Sequence, residues 1–191
     1  MLCLICESPN ITKIFDTVNT HGRHTLDKSK KFAIHRCNNC GVIFVGGVII
    51  NDEYFSMYYP SDYYASPTRN GLVNQILELL GKTLIGFKEI DILKHFKSLN
   101  NAKIKILDIG CGSGEFLANI SSRVFEKYGL EINPQGAARC RQRNIRVFNK
   151  ELKEVGFEPD SFDVITMWHV LEHLDNPADL LLEARRILKT N

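Results

Sequence analysis

No stretch of this 191-residue chain approaches the 18 or so uninterrupted apolar residues that a transmembrane helix needs, which argues against a helical membrane span. The opening MLCLICESPN has neither a basic n-region nor a long apolar h-region, so no signal peptide is expected. Charge of one sign is also missing: a net charge of +2 disfavours a nucleic-acid or membrane partner. Internal repeats and low-complexity runs are absent. Together these absences predict a cytoplasmic protein, whose thiols stay reduced and whose paired cysteines hold metal more often than they form disulfides. What remains is ordinary globular material. Hydrophobic residues make up 44% and charged residues 24%, and the length accommodates one domain of usual size with a small appendage.

The six cysteines are unevenly placed: CLIC holds Cys3 and Cys6, and CNNC holds Cys37 and Cys40, followed by Gly41. Two intervening residues let both thiolates of a tight turn reach one tetrahedral ion, and two such knuckles complete a four-sulfur zinc site. Four thiolates leave no open coordination position, so the Zn2+ would be structural rather than catalytic. A hairpin built from ITKIFDTV and KKFAIHR fills the thirty residues between Cys6 and Cys37. Alternation in KFAIHRC and GVIFV predicts short strands beside the second knuckle. A segment this small buries too little apolar surface to be stable alone, which a metal offsets. Four ordinary buried thiols are the alternative. His21, His24 and His35 read as hairpin residues because the cysteine set is complete without them, and Lys28 to Lys31 reads as a solvated loop.

Residues 48–101 read as a linker and helical lead-in. Between Asn51 and Tyr64 lie Tyr54, Phe55, Tyr58, Tyr59, Tyr63 and Tyr64, which either pack between the two parts or line a cleft. LVNQILELL and FKEIDILKHFKSL space their apolar residues for one or two amphipathic helices.

KIKILDIG reads as a buried strand running into a glycine turn and then the helix GEFLANIS, the start of a doubly wound α/β sheet. The glycines Gly110, Gly112 and Gly114 are spaced G-x-G-x-G rather than the G-x-G-x-x-G of a dinucleotide fingerprint, and Asp108 precedes them. A carboxylate there repels a pyrophosphate and attracts a cation, so the ligand should be positively charged and free of phosphate. S-adenosylmethionine, with a sulfonium and an ammonium, meets both demands. Glu131 falls 21 residues after Gly110, at the end of the strand VFEKYGL, where an acid is placed to bind a ribose diol. A surface acid capping the helix that begins at Pro134 is the plainer alternative.

LDIGCGSGEF, YGLEINP and FDVITMWHVLEHLDNP, in this order and spacing, resemble the consecutive motifs of class I S-adenosylmethionine-dependent methyltransferases from about Lys103 to Lys189. The chain is similar in particular to bacterial members with an N-terminal zinc ribbon, some of which methylate sugars or serve surface-glycan pathways. The resemblance implies an α/β, Rossmann-like, doubly wound and mostly parallel sheet over residues 102–191, incomplete at its C-terminal end, behind a ribbon over 1–47. It also implies that Asp108, Gly110, Gly112 and Gly114 shape the pocket for the methionine end of S-adenosylmethionine. Glu131 would take the ribose hydroxyls and Ile132 would pack against adenine. Asn149 or Glu151 would meet the adenine amine.

FDVITMWHV should end beside the glycine turn, bringing Trp168, His169, Glu172 and His173 there. Methyl transfer needs an acceptor lone pair in line with the sulfur–methyl bond and often a base, a role suited to histidine. His169 is the first candidate and His173 the second, although LEHLDNP also leads into a helix near Pro177 with Asn176 as its N-cap. Trp168 either walls the cofactor pocket or fills the core. Cys111 and Cys140 read as small packing residues, and Arg139, Arg141, Arg143 and Arg146 as a solvated helix face.

Three further strands that follow in the family have no counterpart here. The strand through Val164 is therefore expected to have an uncovered edge, met by more chain, by a homo-oligomer or partner chain, or by a loss of activity. The expected acceptor is a small molecule or a nucleotide-linked sugar, with an inactive S-adenosylmethionine-binding or regulatory module as the alternative. An RNA-modifying enzyme would need a basic, aromatic-lined face, which the charge disfavours.

Overall fold

The computed structural model describes residues 1–18, 31–47, 72–96 and 102–190. The chain divides into two compact units, Met1–Tyr63 with Leu171–Leu181, and Tyr64–Val170 with Leu182–Asn191. Among the described residues, no helix is long and apolar enough to cross a membrane.

The first unit contains an antiparallel sheet of β1 (Ile11–Val18), β2 (Lys31–Cys37) and β3 (Ile43–Gly46), in the order β1-β2-β3. The expected hairpin forms in register from Ile11 opposite Cys37 to Val18 opposite Lys31, with an irregularity between Lys13 and Phe15. His21, His24, Lys28 to Lys30 and the aromatic stretch from Asn51 to Tyr64 lie outside the described residues. His35 is on β2, where its ring stacks on Phe44 and its Nδ1 lies 3.1 Å from the Ala33 carbonyl oxygen.

The second unit is built on a four-stranded parallel sheet, β4 (Ile104–Ile109), β5 (Phe125–Leu130), β6 (Arg146–Phe148) and β7 (Val164–Met167), ordered β6-β5-β4-β7. This is the Rossmann-like arrangement. The lead-in helix α1 (Leu72–Leu93) is one continuous helix, and its Ile85, Ile92 and Leu93 pack on the core around Ile106, Leu117 and Phe125. Helix α2 (Glu115–Asn119) follows the glycine turn, α3 (Pro134–Gln142) links β5 to β6, and α4 (Leu152–Val155) follows β6. A 3-10 turn over Leu171–His173 leads to α5 (Pro177–Ile187). Asn133 caps α3, its Oδ1 accepting from the amides of Gln135 and Gly136. Asn176 does the same for α5 as expected, accepting from the Asp179 amide at 3.3 Å.

β4 is buried at every position except Lys105, which accounts for its nearly unbroken apolar reading. All four strands run the same way, so the turn after β4 and the ends of β5 and β7 meet at one edge. The strand order reverses beside β4, the place where open α/β sheets bind ligands. On the outer side of β7, Phe162 pairs in parallel with Leu188, and no longer ladder forms there among the described residues.

Cys111 and Cys140 are buried in this core with their sulfurs 3.6 Å apart, the packing role expected of them. A Cβ at Gly129 would lie 2.7 Å from the Cys111 sulfur. Gly129→Ala should therefore destabilise the protein by roughly 1–3 kcal/mol in urea unfolding, the usual cost of overpacking. Adding Cys111→Ala should return part of that loss, because the clash is with the sulfur.

Candidate functional site

The glycine turn is shaped by contacts on both sides. Gly110, Gly112 and Gly114 all adopt left-handed backbone, with φ of 68°, 55° and 75°. At Gly114 a side chain would also be stopped by Ile145 and Cys140, at 2.6 and 2.9 Å. The turn is held by amide donation from Gly110 and Cys111 to the Leu130 carbonyl, at 2.8 and 3.0 Å.

Glu131 lies next to it and is 5% exposed, so it is not a surface acid. One carboxylate oxygen accepts from the Gly112 amide at 2.8 Å and the other from the Asn133 amide at 2.7 Å. Burial pushes its pKa up, opposed by these two amides. Each oxygen keeps a lone pair after these bonds, so a vicinal diol can add two donors without breaking the turn.

Asp108 is 2% exposed in β4, and the Thr166 hydroxyl, its register partner on β7, donates to it at 2.7 Å. Burial pushes Asp108 up to about 7, against the pull of Thr166 and of the Lys88 ammonium, while Glu131 adds to the rise. This alters the electrostatic expectation. At neutral pH the carboxyl is partly protonated, so it repels a phosphate less than a free carboxylate would, and an arriving cation is what ionises it fully.

Ile132 is 59% exposed at the head of the loop after β5, an apolar side chain left at the surface. Asn149 braces that loop, donating at 2.8 Å to the carbonyls of both Glu131 and Ile132. Glu151 forms the capping box of α4 with Glu154, so both expected adenine partners already have structural tasks.

Trp168 follows β7 and meets Phe116 edge-on, with ring centroids 5.5 Å apart. It is half-buried against the core, between the two readings given to it. The Lys88 ammonium of α1 sits 3.5 Å from its ring centroid. His169, the next residue, is exposed and takes a left-handed φ of 56°, a conformation that non-glycine residues adopt mostly at turns and functional sites. His173 is half-buried in the 3-10 turn and falls in the first unit, whereas the glycine turn, Glu131 and His169 belong to the second. Thr166 and Lys88 escaped sequence reasoning. The available signals were a threonine inside an apolar strand and a lysine between apolar positions of an amphipathic helix.

In the first unit, one sulfur from each of Cys3, Cys6, Cys37 and Cys40 lies within 4.8 Å of all the others, and the pairs Cys3–Cys40 and Cys6–Cys37 are 3.6 Å apart. The two knuckles are built alike. Cys3 N–H donates to the Ser8 carbonyl and Cys37 N–H to that of Val42, while Glu7 and Gly41 donate back to the carbonyls of Cys3 and Cys37. Both of those following residues are left-handed, Glu7 at φ 56° and Gly41 at φ 78°. Cys3 and Cys37 are the only buried residues among those described in 1–18 and 31–47. The Ser8 amide and then Asn39 pull Cys6 down to about 6. At Cys40 the Val42 amide pulls down, but burial and the three neighbouring thiols push it up to about 12.

Residues 87–191 match the family described as "Methyltransferase domain", and the chain belongs to that family. Curated relatives include the mitochondrial ubiquinone biosynthesis O-methyltransferase of Candida albicans, 31% identical over 103 residues that cover 48% of this chain and 31% of the relative. The ubiquinone biosynthesis O-methyltransferase of Pseudomonas fluorescens is 29% identical over 99 residues, covering 48% and 42%. The chain thus matches well under half the length of these relatives. Among solved structures, the plantazolicin methyltransferase BpumL bound to an analogue and SAH is similar at 22% identity and a TM-score of 0.48, covering 56% of this chain and 42% of that one. A SAM-dependent methyltransferase from Thermotoga maritima, described as a possible histamine N-methyltransferase, shows 25% identity and a TM-score of 0.43, covering 61% and 53%.

Two outcomes follow from this geometry. Replacing Glu7 by glycine should stabilise the ribbon by about 0.5–1 kcal/mol in thermal melts, since it relieves a left-handed non-glycine residue. Asp108 is raised from 3.8 to about 7 on folding, so the folded state holds its proton more tightly and stability falls as pH rises between those values. Urea melts should show Asp108→Asn gaining stability relative to the parent between pH 5 and pH 8; a constant difference would contradict the buried carboxyl.

Proposed function

We propose that the second unit binds S-adenosylmethionine and belongs to an enzyme that methylates a small-molecule or sugar acceptor, including nucleotide-linked sugars. The observation that carries this reading is Glu131, a buried carboxylate that closes the glycine turn and keeps one lone pair per oxygen for a ribose diol. Asp108 fits a ligand with positive charge, because a cation beside this buried carboxyl favours its ionised form. The exposed Ile132 offers an apolar face for adenine, and Trp168 packs on Phe116 in the helix that follows the turn. When bound, S-adenosylmethionine supplies a methyl group that an acceptor lone pair attacks as the carbon–sulfur bond breaks, leaving S-adenosylhomocysteine. His169 takes the acceptor's proton in this reading. His173, in the 3-10 turn that follows, is the second candidate for this role. The relatives' description as O-methyltransferases supports an oxygen acceptor.

In the first unit, Cys3, Cys6, Cys37 and Cys40 hold one structural Zn2+ in this proposal. A tetrahedron with zinc–sulfur bonds of about 2.3 Å has edges of about 3.8 Å, close to the 3.6 Å pairs observed.

Titration calorimetry should show S-adenosylmethionine binding at one site per chain, with Glu131→Gln weakening it roughly ten- to hundredfold, as expected for hydrogen bonds to a charged group. Failure of both S-adenosylmethionine and S-adenosylhomocysteine to bind would end the reading. With a turned-over acceptor, His169→Ala should lower kcat roughly 10²- to 10⁴-fold with little change in donor affinity. Metal analysis should find about one zinc per chain, and less than about half would remove the ribbon assignment.

A further inference from the structure

Lys88 occupies an odd place. It lies on α1 between Ile85 and Ile92, three residues after one and four before the other, and both of these pack on the core. Positions at that spacing share a helix face, and a charge there costs stability unless it has a partner. Its partner is the Trp168 ring, with the ammonium 3.5 Å from the centroid. The Asp108 carboxyl feels the same charge across the end of β4. An aromatic face backed by a carboxylate is a cation site. It lies at the start of the helix that follows the glycine turn, since Trp168 contacts Phe116 in the first turn of α2, and Asp108 lies two residues before Gly110. The indole Nε1 of the same ring is buried without a hydrogen-bond partner among the described residues.

We propose that the Lys88 ammonium fills, in the unliganded protein, the cation position that the methyl donor's own positive charge takes over, so that donor binding displaces Lys88 from the Trp168 ring. The inference rests on the methyl-donor reading and extends it: α1 becomes an internal competitor that sets donor affinity and leaves an uncharged nucleoside unaffected. A ligand charge brought to the same spot must either repel the ammonium or replace it, and a lysine on a four-carbon stem can swing away with little cost to the helix.

The test uses the full chain at pH 8, above the value near 7 at Asp108. Calorimetry would compare the parent with Lys88→Met, which keeps the stem against the ring, and with Lys88→Gln. The probes are S-adenosylmethionine, S-adenosylhomocysteine and uncharged 5′-methylthioadenosine. S-adenosylmethionine should bind both variants roughly three- to tenfold more tightly, the scale of a partly desolvated cation–π contact, and methylthioadenosine should bind unchanged. Equal weakening of S-adenosylmethionine and S-adenosylhomocysteine would overturn the proposal, because Lys88 would then be holding the donor's carboxylate; no change with any probe would overturn it too. Trp168 is the only tryptophan of the chain, so its emission reports the site directly in the parent protein. Saturating S-adenosylmethionine should shift that emission, and an unchanged spectrum would also overturn the proposal. If no probe binds the parent at all, the methyl-donor reading itself fails.

Discussion

The bond from the Gly112 amide to Glu131 is the joint on which the second unit's site depends. Through that single carboxylate the turn after β4 is fixed to the end of β5, and through the Asn133 amide to the N-terminus of α3. Packing leaves no slack around it. A Cβ at Gly136 would lie 3.0 Å from both Glu131 and the Gly112 carbonyl, and the Cys140 thiol donates to that same carbonyl at 3.2 Å. A glutamine would have to present its amide nitrogen to one of two backbone donors, so only the ionised acid satisfies both. Burial works against ionisation and the two amides work for it. The turn is therefore pre-formed by a group that is itself near its solvation limit.

That balance constrains what else the site can accept. Asp108 and Glu131 are both buried, and each negative charge makes the other more costly. Thr166 and Lys88 offset part of this at Asp108. A ligand bringing more negative charge to this corner adds to the strain, whereas a cation relieves it. The proposed preference for a cationic nucleoside rests less on a helix dipole, since α2 spans only Glu115–Asn119, than on the desolvation of two acids in one corner.

Much of this was legible in the sequence because it follows from local rules. The knuckles, the hairpin, the buried strand and the glycine turn each have a short-range cause, and each formed where spacing placed it. Glu131 was located by its distance from Gly110, and the structure brings the two segments together. The state of Asp108 was not legible, because its pKa depends on Thr166, 58 residues away, and on a lysine from α1. The tasks of Asn149 and Glu151 were hidden for the same reason. An asparagine that braces a loop and one that meets a ligand look identical until the loop's carbonyls are placed.

The two units hold their shape by opposite means. The parallel sheet buries Ile106, Leu107, Leu117 and Phe125, and the hydrophobic term suffices there. The ribbon leaves Ile14, Phe15, Val18, Ile43 and Val45 exposed, and its described strands and turns bury only Cys3 and Cys37. Backbone pairing alone is marginal for so small a sheet. Four sulfurs gathered at two equivalent turns have the spacing of a tetrahedral thiolate site. The proposed divalent ion would supply the core that this segment lacks, and metal binding and folding would then be one equilibrium there.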